Sequence, residues 1–93
     1  MAMRESAIEK YLTRRVKEAG GLSWKFTSPS LIGVPDRIVV MPGNKVYFVE
    51  VKQLGEALRS SQERRAADLR ARGCQVYILD STDAVDFFMA VIS

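Results

Sequence analysis

Residues 33–52 read GVPDRIVVMPGNKVYFVEVK, two apolar runs on either side of Pro42-Gly43-Asn44. Asp36–Met41 and Lys45–Lys52 are rich in Val, Ile, Phe and Tyr, which fit a pleated sheet, and the Pro-Gly-Asn turn between them predicts a hairpin. Side chains alternate across a strand, so Val46, Phe48, Glu50 and Lys52 share one face while Tyr47, Val49 and Val51 share the other. That much apolar surface places the second strand centrally in its sheet. A carboxylate and an ammonium at the end of such a strand cost desolvation free energy unless they serve each other or a ligand.

Working upstream, Ile8, Leu12, Val16 and Ala19 recur every three or four residues, which predicts a helix over Ser6–Ala19 that Gly20-Gly21 ends. Trp24-Lys25-Phe26 predicts a short strand with its aromatic residues in the core, followed by a loop from Ser28-Pro29-Ser30 through Gly33 to Pro35. Downstream, Leu54-Gly55 breaks the strand. Ser60 or Ser61 is then expected to cap a helix that turns Ala66 and Leu69 inward, carries a basic outer face and ends at Gly73. Gln75–Leu79 reads as a buried strand, and Ser81 or Thr82 as the cap of a last helix over Asp83–Ile92. The order is αβββαβα: an α/β fold with a central mixed sheet flanked by helices, in one domain over residues 1–93.

Composition narrows the chemistry. The chain has 93 residues, no histidine and one cysteine. Imidazole bases, Ser-His-Asp triads, histidine-held metals, disulfides and four-cysteine zinc sites are all excluded, so any metal must be held by oxygen. The lone cysteine, together with a Met1–Lys10 segment that carries Arg4, Glu5, Glu9 and Lys10 and no apolar run, leads to the expectation of a reducing cytoplasmic location. No stretch is apolar enough for a membrane span, and neither a Gly-Lys-Ser/Thr phosphate loop nor a Gly-x-Gly-x-x-Gly fingerprint is present, so no nucleotide cofactor is expected. Net charge is +3, and every one of the 14 cations precedes Asp80. Nine are Arg, whose planar fork suits phosphate oxygens. Nucleic acid is the natural polyanionic partner.

Asp36 directly follows Pro35 and opens the strand beside Glu50, so two carboxylates are expected at one end of the sheet. They repel, and a hard divalent ion would relieve the repulsion while keeping several of its waters. Such an ion lowers the pKa of a bound water and polarises a phosphoryl oxygen, and Lys52 can orient the water or offset developing charge. The simpler alternative for Glu50 and Lys52 is an ion pair.

The whole constellation has Pro35-Asp36, thirteen intervening residues, Glu50-Val51-Lys52 and helices before and after. It resembles the PD-(D/E)xK nuclease superfamily. More narrowly, Gly33-Val34-Pro35-Asp36-Arg37-Ile38, then Phe48-Val49-Glu50-Val51-Lys52, then Leu58-x-Ser60-x-Gln62, is similar to the VRR-NUC family in its compact stand-alone form of phages and bacteria. The resemblance implies a restriction-endonuclease-like core. It implies that Asp36, Glu50 and the carbonyl of Val51 bind Mg²⁺ or Mn²⁺, that Lys52 is the catalytic lysine and that Gln62 points back at the site. The family also places a glutamate on the first helix. Glu5 and Glu9 both qualify, and Glu9 is favoured by its distance to Gly20. The implied activity is structure-selective DNA cleavage like that of a Holliday-junction resolvase, on branched DNA, by a homodimer inside the host cell.

Of the basic residues, Lys25, Arg37 and Arg59 are expected closest to the metal and best placed to grip phosphates. Arg14, Arg15 and Lys17 on the first helix, and Arg64, Arg65, Arg70 and Arg72 on the later one, read as solvated charges. Cys74 reads as inert packing. The last helix carries Val85, Phe87, Phe88, Met89, Val91 and Ile92 on more than one face, an excess that favours an interface between two copies. Two rival readings stand beside the nuclease: a non-catalytic nucleic-acid-binding module whose acids are vestigial, and a protein-interaction domain that uses the last helix.

Overall fold

A computed structural model describes residues 3–93, so residues 1 and 2 of the expected domain lie outside the described residues. The elements are α1 (Glu5–Glu18), β1 (Leu22–Lys25), β2 (Arg37–Met41), β3 (Lys45–Val51), α2 (Ser60–Ala71), β4 (Gln75–Leu79) and α3 (Thr82–Ile92). The four strands form one mixed sheet in the order β1-β2-β3-β4. β1 and β2, and β2 and β3, pair antiparallel, while β3 and β4 pair parallel across the α2 connection. The αβββαβα order is as expected from the sequence.

Local chemistry sets the boundaries. The β2–β3 hairpin turns at Gly43 and Asn44, both at positive φ, a region that Gly and Asn tolerate. α3 starts at Ser81, whose hydroxyl accepts from the Ala84 N–H at 3.0 Å. At α2 the residue preceding the first turn is Arg59 rather than a serine, and its N–H is taken by the Gln62 side chain at 2.8 Å. Ser60 and Ser61 therefore do not cap this helix. The amide of Gln62 does that work from inside.

The core lies between the sheet and the α1–α3 pair. Ile8, Leu12 and Val16 of α1, Val39 and Met41 of β2, Tyr47, Val49 and Val51 of β3, and Val85, Phe88, Met89 and Ile92 of α3 are all buried. Fully burying each Val, Leu, Ile or Phe contributes about 1.5–3 kcal/mol, so this layer holds the fold. Tyr47, Tyr77 and Phe88 meet edge to face, with Tyr77 and Phe88 ring centroids 4.8 Å apart.

Two sequence expectations are corrected on the other side of the sheet. β1 runs Leu22–Lys25 rather than through Phe26, and Trp24 is 60% exposed instead of lying in the core. β1 is an edge strand, and α2 makes its main packing with β4 at the opposite edge, so Trp24 is left largely uncovered by the described residues. β4 is also an edge strand and is only partly buried, with Val76 and Leu79 buried but Gln75 and Ile78 exposed. Among the described residues, no helix is long and apolar enough to cross a membrane.

Candidate functional site

The loop before β2 is held against the start of α2 by an approach that only glycine permits. Gly33 has φ +92°, and a Cβ there would lie 2.4 Å from the carbonyl oxygen of Ser61. Buried Pro35 then delivers Asp36 to the sheet end, where the Asp36 carbonyl accepts from the Phe26 N–H at 2.8 Å. The β2–β3 register pairs Arg37 with Val49, which leaves Asp36 opposite Glu50. The carboxylate of Asp36 accepts from the Val51 N–H at 2.8 Å, an anchor that turns it toward β3.

Glu50 is 4% exposed and Lys52 6%, two ionisable side chains buried on the same face of one strand. The Gln62 amide donates to Glu50 Oε2 at 3.0 Å while its Oε1 accepts from the Arg59 N–H. Both halves of the amide are thereby used, one to begin α2 and one to fix the carboxylate. The backbone N–H of Lys52 donates to Leu79 at 3.0 Å, tying the lysine to the parallel strand.

These surroundings push the Glu50 carboxyl up from 4.5 to about 8. Burial contributes most, followed by the charge of Asp36 and a hydrogen bond to Asp36 that favours the protonated acid; Lys52 opposes the rise, and Glu5 adds to it. Near neutral pH Glu50 therefore holds its proton in the absence of a cation, and a cation bound by both carboxylates would displace it. An all-oxygen donor set of two carboxylates beside the backbone of Val51 fits a hard divalent cation, which binds through one or two carboxylates and retains waters. Among the described residues, no group of three or more His, Cys, Asp and Glu side chains is gathered tightly enough to hold a metal ion.

The structure brings Asp36, Glu50, Lys52 and Gln62 together. It does not bring Glu9 to them. The Glu9 carboxylate instead accepts from Arg37 Nε at 2.9 Å in a largely buried ion pair, and Arg37 also donates to the Ser23 carbonyl at 3.3 Å. Glu5 is the helix acid whose charge reaches Glu50. The signal was present in the strand period. Arg37 shares its face with Val39 and Met41, which pack toward α1, so it meets the helix side chain above it rather than Asp36. Arg59 lines a cleft of about 400 Å³ with Ser28, Ile32, Asp36 and Gln62, and Lys25 and Arg37 line another of about 540 Å³ under α1. The close packing of Gly33 on Ser61 was not legible, because glycine in a loop reads first as a turn.

Comparison with known proteins agrees along most of the chain. A family model described as the VRR-NUC domain matches residues 4–83. A protein of Acyrthosiphon pisum secondary endosymbiont phage 1 carrying the name "Putative nuclease p44" is 46% identical over 89 residues, 96% of either chain. A solved structure named "VRR_NUC domain" superposes with a TM-score of 0.91 at 30% identity, over 96% of this chain and 97% of that one.

Proposed function

The chain belongs to the VRR-NUC domain family, and from that premise we propose that it is a divalent-metal-dependent DNA endonuclease that hydrolyses phosphodiester bonds in branched DNA, in the manner of a Holliday-junction resolvase. The observation that carries this is the half-buried Asp36 set against buried Glu50, with Glu50 pushed up to about 8 beside Lys52 and Gln62. Asp36, Glu50 and the carbonyl of Val51 would hold Mg²⁺ or Mn²⁺. Such an ion supplies an acidified water and polarises the phosphoryl oxygen.

The remaining work falls to the chain's own residues. Gln62 fixes the Glu50 carboxylate through its 3.0 Å hydrogen bond, so the acid does not rotate away when it ionises. Lys52, held low in the sheet, offsets the negative charge that builds on the phosphate as water attacks phosphorus and the bond to the leaving sugar oxygen breaks. Glu5 replaces Glu9 as the helix acid that assists the pair, because Glu9 is engaged by Arg37. Arg59 contacts a phosphate from the neighbouring cleft. Phe87 and Val91, 72% and 53% exposed and one turn apart on α3, support a homodimer that sets two sites on one junction. The similarity to a phage protein supports action inside a bacterial host cell, in its cytoplasm.

Incubation of a labelled four-way DNA junction with Mg²⁺ or Mn²⁺, with the product strands mapped, tests the proposal. Symmetric nicks that disappear in EDTA, in Asp36→Ala and in Lys52→Ala are expected. Binding of junction, flap and linear DNA without scission in either metal would mark the chain as a binding module.

A further inference from the structure

Outside the acid pair, a concentration of unneutralised charge lines the cleft between α1 and β1. Lys10, Arg14 and Lys17 recur at four and three residues and so share one face of α1. Lys25 of β1 stands across the cleft, paired in register with Arg37. All four lysine and arginine side chains at positions 10, 14, 17 and 25 are exposed, and none of them forms a salt bridge among the described residues. The one acid in the cleft, Glu9, is already held by Arg37. The cleft therefore presents a surplus of cations over a polar wall that includes Ser6 and Thr13.

Its position is as informative as its charge. Arg37 on its floor directly follows Asp36 and opens β2, with its side chain on the opposite face of the sheet. One end of the cleft thus lies at the end of the sheet that carries the acid pair, and the other runs out along α1 to Lys17. From Ser6 to Lys17 the helix advances roughly 16 Å at 1.5 Å per residue. One strand of duplex DNA rises 3.4 Å per nucleotide, so the track spans about five nucleotides. Ordinary solvated charges would be interleaved with acids on such a face; here the only acid is neutralised.

We propose that the α1–β1 cleft is a phosphate track for one strand of a duplex arm leaving the cleavage site, gripped by Lys10, Arg14, Lys17 and Lys25, with Glu9 serving as the positioning residue for Arg37. The track rests on the DNA nuclease reading above, and it adds contacts on the first helix that the sequence ascribed to mere solvation. Phosphate contacts carry register rather than base identity, so the track selects for an arm of duplex of sufficient length.

The test separates this track from the chemistry. Binding of a fluorescein-labelled four-way junction is followed by anisotropy against salt concentration, without divalent metal, for the unaltered protein, for Arg14→Ala/Lys17→Ala, and for the charge-matched Arg64→Ala/Arg72→Ala on α2, with circular dichroism confirming that all are folded. The groove pair is expected to lower the log–log salt slope by about two and to weaken binding roughly tenfold, while the α2 pair leaves the slope unchanged. A hydroxyl-radical footprint of about five nucleotides on one side of the cut should shrink in the groove variant. Equal losses in the two double variants, an unchanged slope in the groove variant, or no DNA binding by the unaltered protein would overturn the track. Binding with the expected slope changes but no scission when Mg²⁺ or Mn²⁺ is supplied would instead overturn the nuclease reading and leave the track standing.

Discussion

The two faces of the sheet are built on opposite terms. Toward α1 and α3, β2 and β3 present Val39, Val49 and Val51, each without measurable exposure, to Ile8, Leu12, Val16 and Phe88. Toward α2 the same strands present Phe48, Glu50 and Lys52, and α2 buries only Gln62 and Ala66. One face gains free energy from every residue it hides, whereas the other hides ionisable groups at a cost in desolvation. The contrast teaches that stability and chemistry are separated by a single alternation along β3: odd-numbered residues hold the fold, and even-numbered ones hold the site.

The sharpest way to break that division is to cut into both sides and compare signs. Phe88→Ala removes a side chain 1% exposed and is expected to cost about 3–5 kcal/mol in denaturant unfolding. Asp36→Asn should cost nothing in stability and raise it in metal-free buffer, because it relieves the repulsion on Glu50, while cleavage falls by more than about a hundredfold. Comparable destabilisation by the two substitutions would erase the distinction between the faces.

A pH series sharpens it next. Glu50 binds its proton more tightly in the folded chain, at about 8, than the 4.5 of a free side chain. The folded state is therefore favoured by this group below pH 4.5, and the advantage is lost as pH rises through 8. The metal-free melting temperature should decline over that interval, by roughly 4–8 °C for each kcal/mol lost. Mg²⁺ added near the upper end should restore it, EDTA should reverse the restoration, and Asp36→Asn should flatten the decline. A melting temperature that climbs with pH over this range would contradict the account.

The smallest effect is expected at Trp24. With 60% of its surface in water on an edge strand, Trp24→Ser should change stability by no more than about 0.5 kcal/mol. A loss as large as that of a core residue would mean that this face is covered in solution by a second copy.

Much of this was legible in the sequence because it rests on short-range periodicities. The helical spacing of Ile8, Leu12 and Val16, the alternation along Lys45–Lys52 and the Pro-Gly-Asn turn fix local structure, and the turn then fixes the register that sets Asp36 opposite Glu50. Gln62 was placed by resemblance, and its doubled hydrogen bonding to Arg59 and Glu50 supplies the physical reason for that position. What the sequence did not reveal are packing relations between elements distant along the chain. Trp24 was expected inside because aromatic strand residues usually are, but exposure depends on which edge α2 covers. Glu5 and Glu9 lie on adjacent turns of one helix, and only the placement of Arg37 under Glu9 distinguishes them. The basic stripe on α1 looked like solvated charge until β1 and Arg37 closed a cleft beneath it.

The central claim is that Asp36 and Glu50 together form a seat for a divalent cation. Paramagnetic line broadening of assigned backbone amide resonances, recorded while Mn²⁺ is added in small steps, tests it most directly. The account predicts that the earliest and strongest broadening centres on Asp36, Glu50, Val51 and Lys52, weakens toward Gln62, spares Glu9 relative to Glu5, and vanishes in Asp36→Ala. Broadening centred on Asp80, Asp83 and Asp86, or spread evenly over the surface acids, would contradict it.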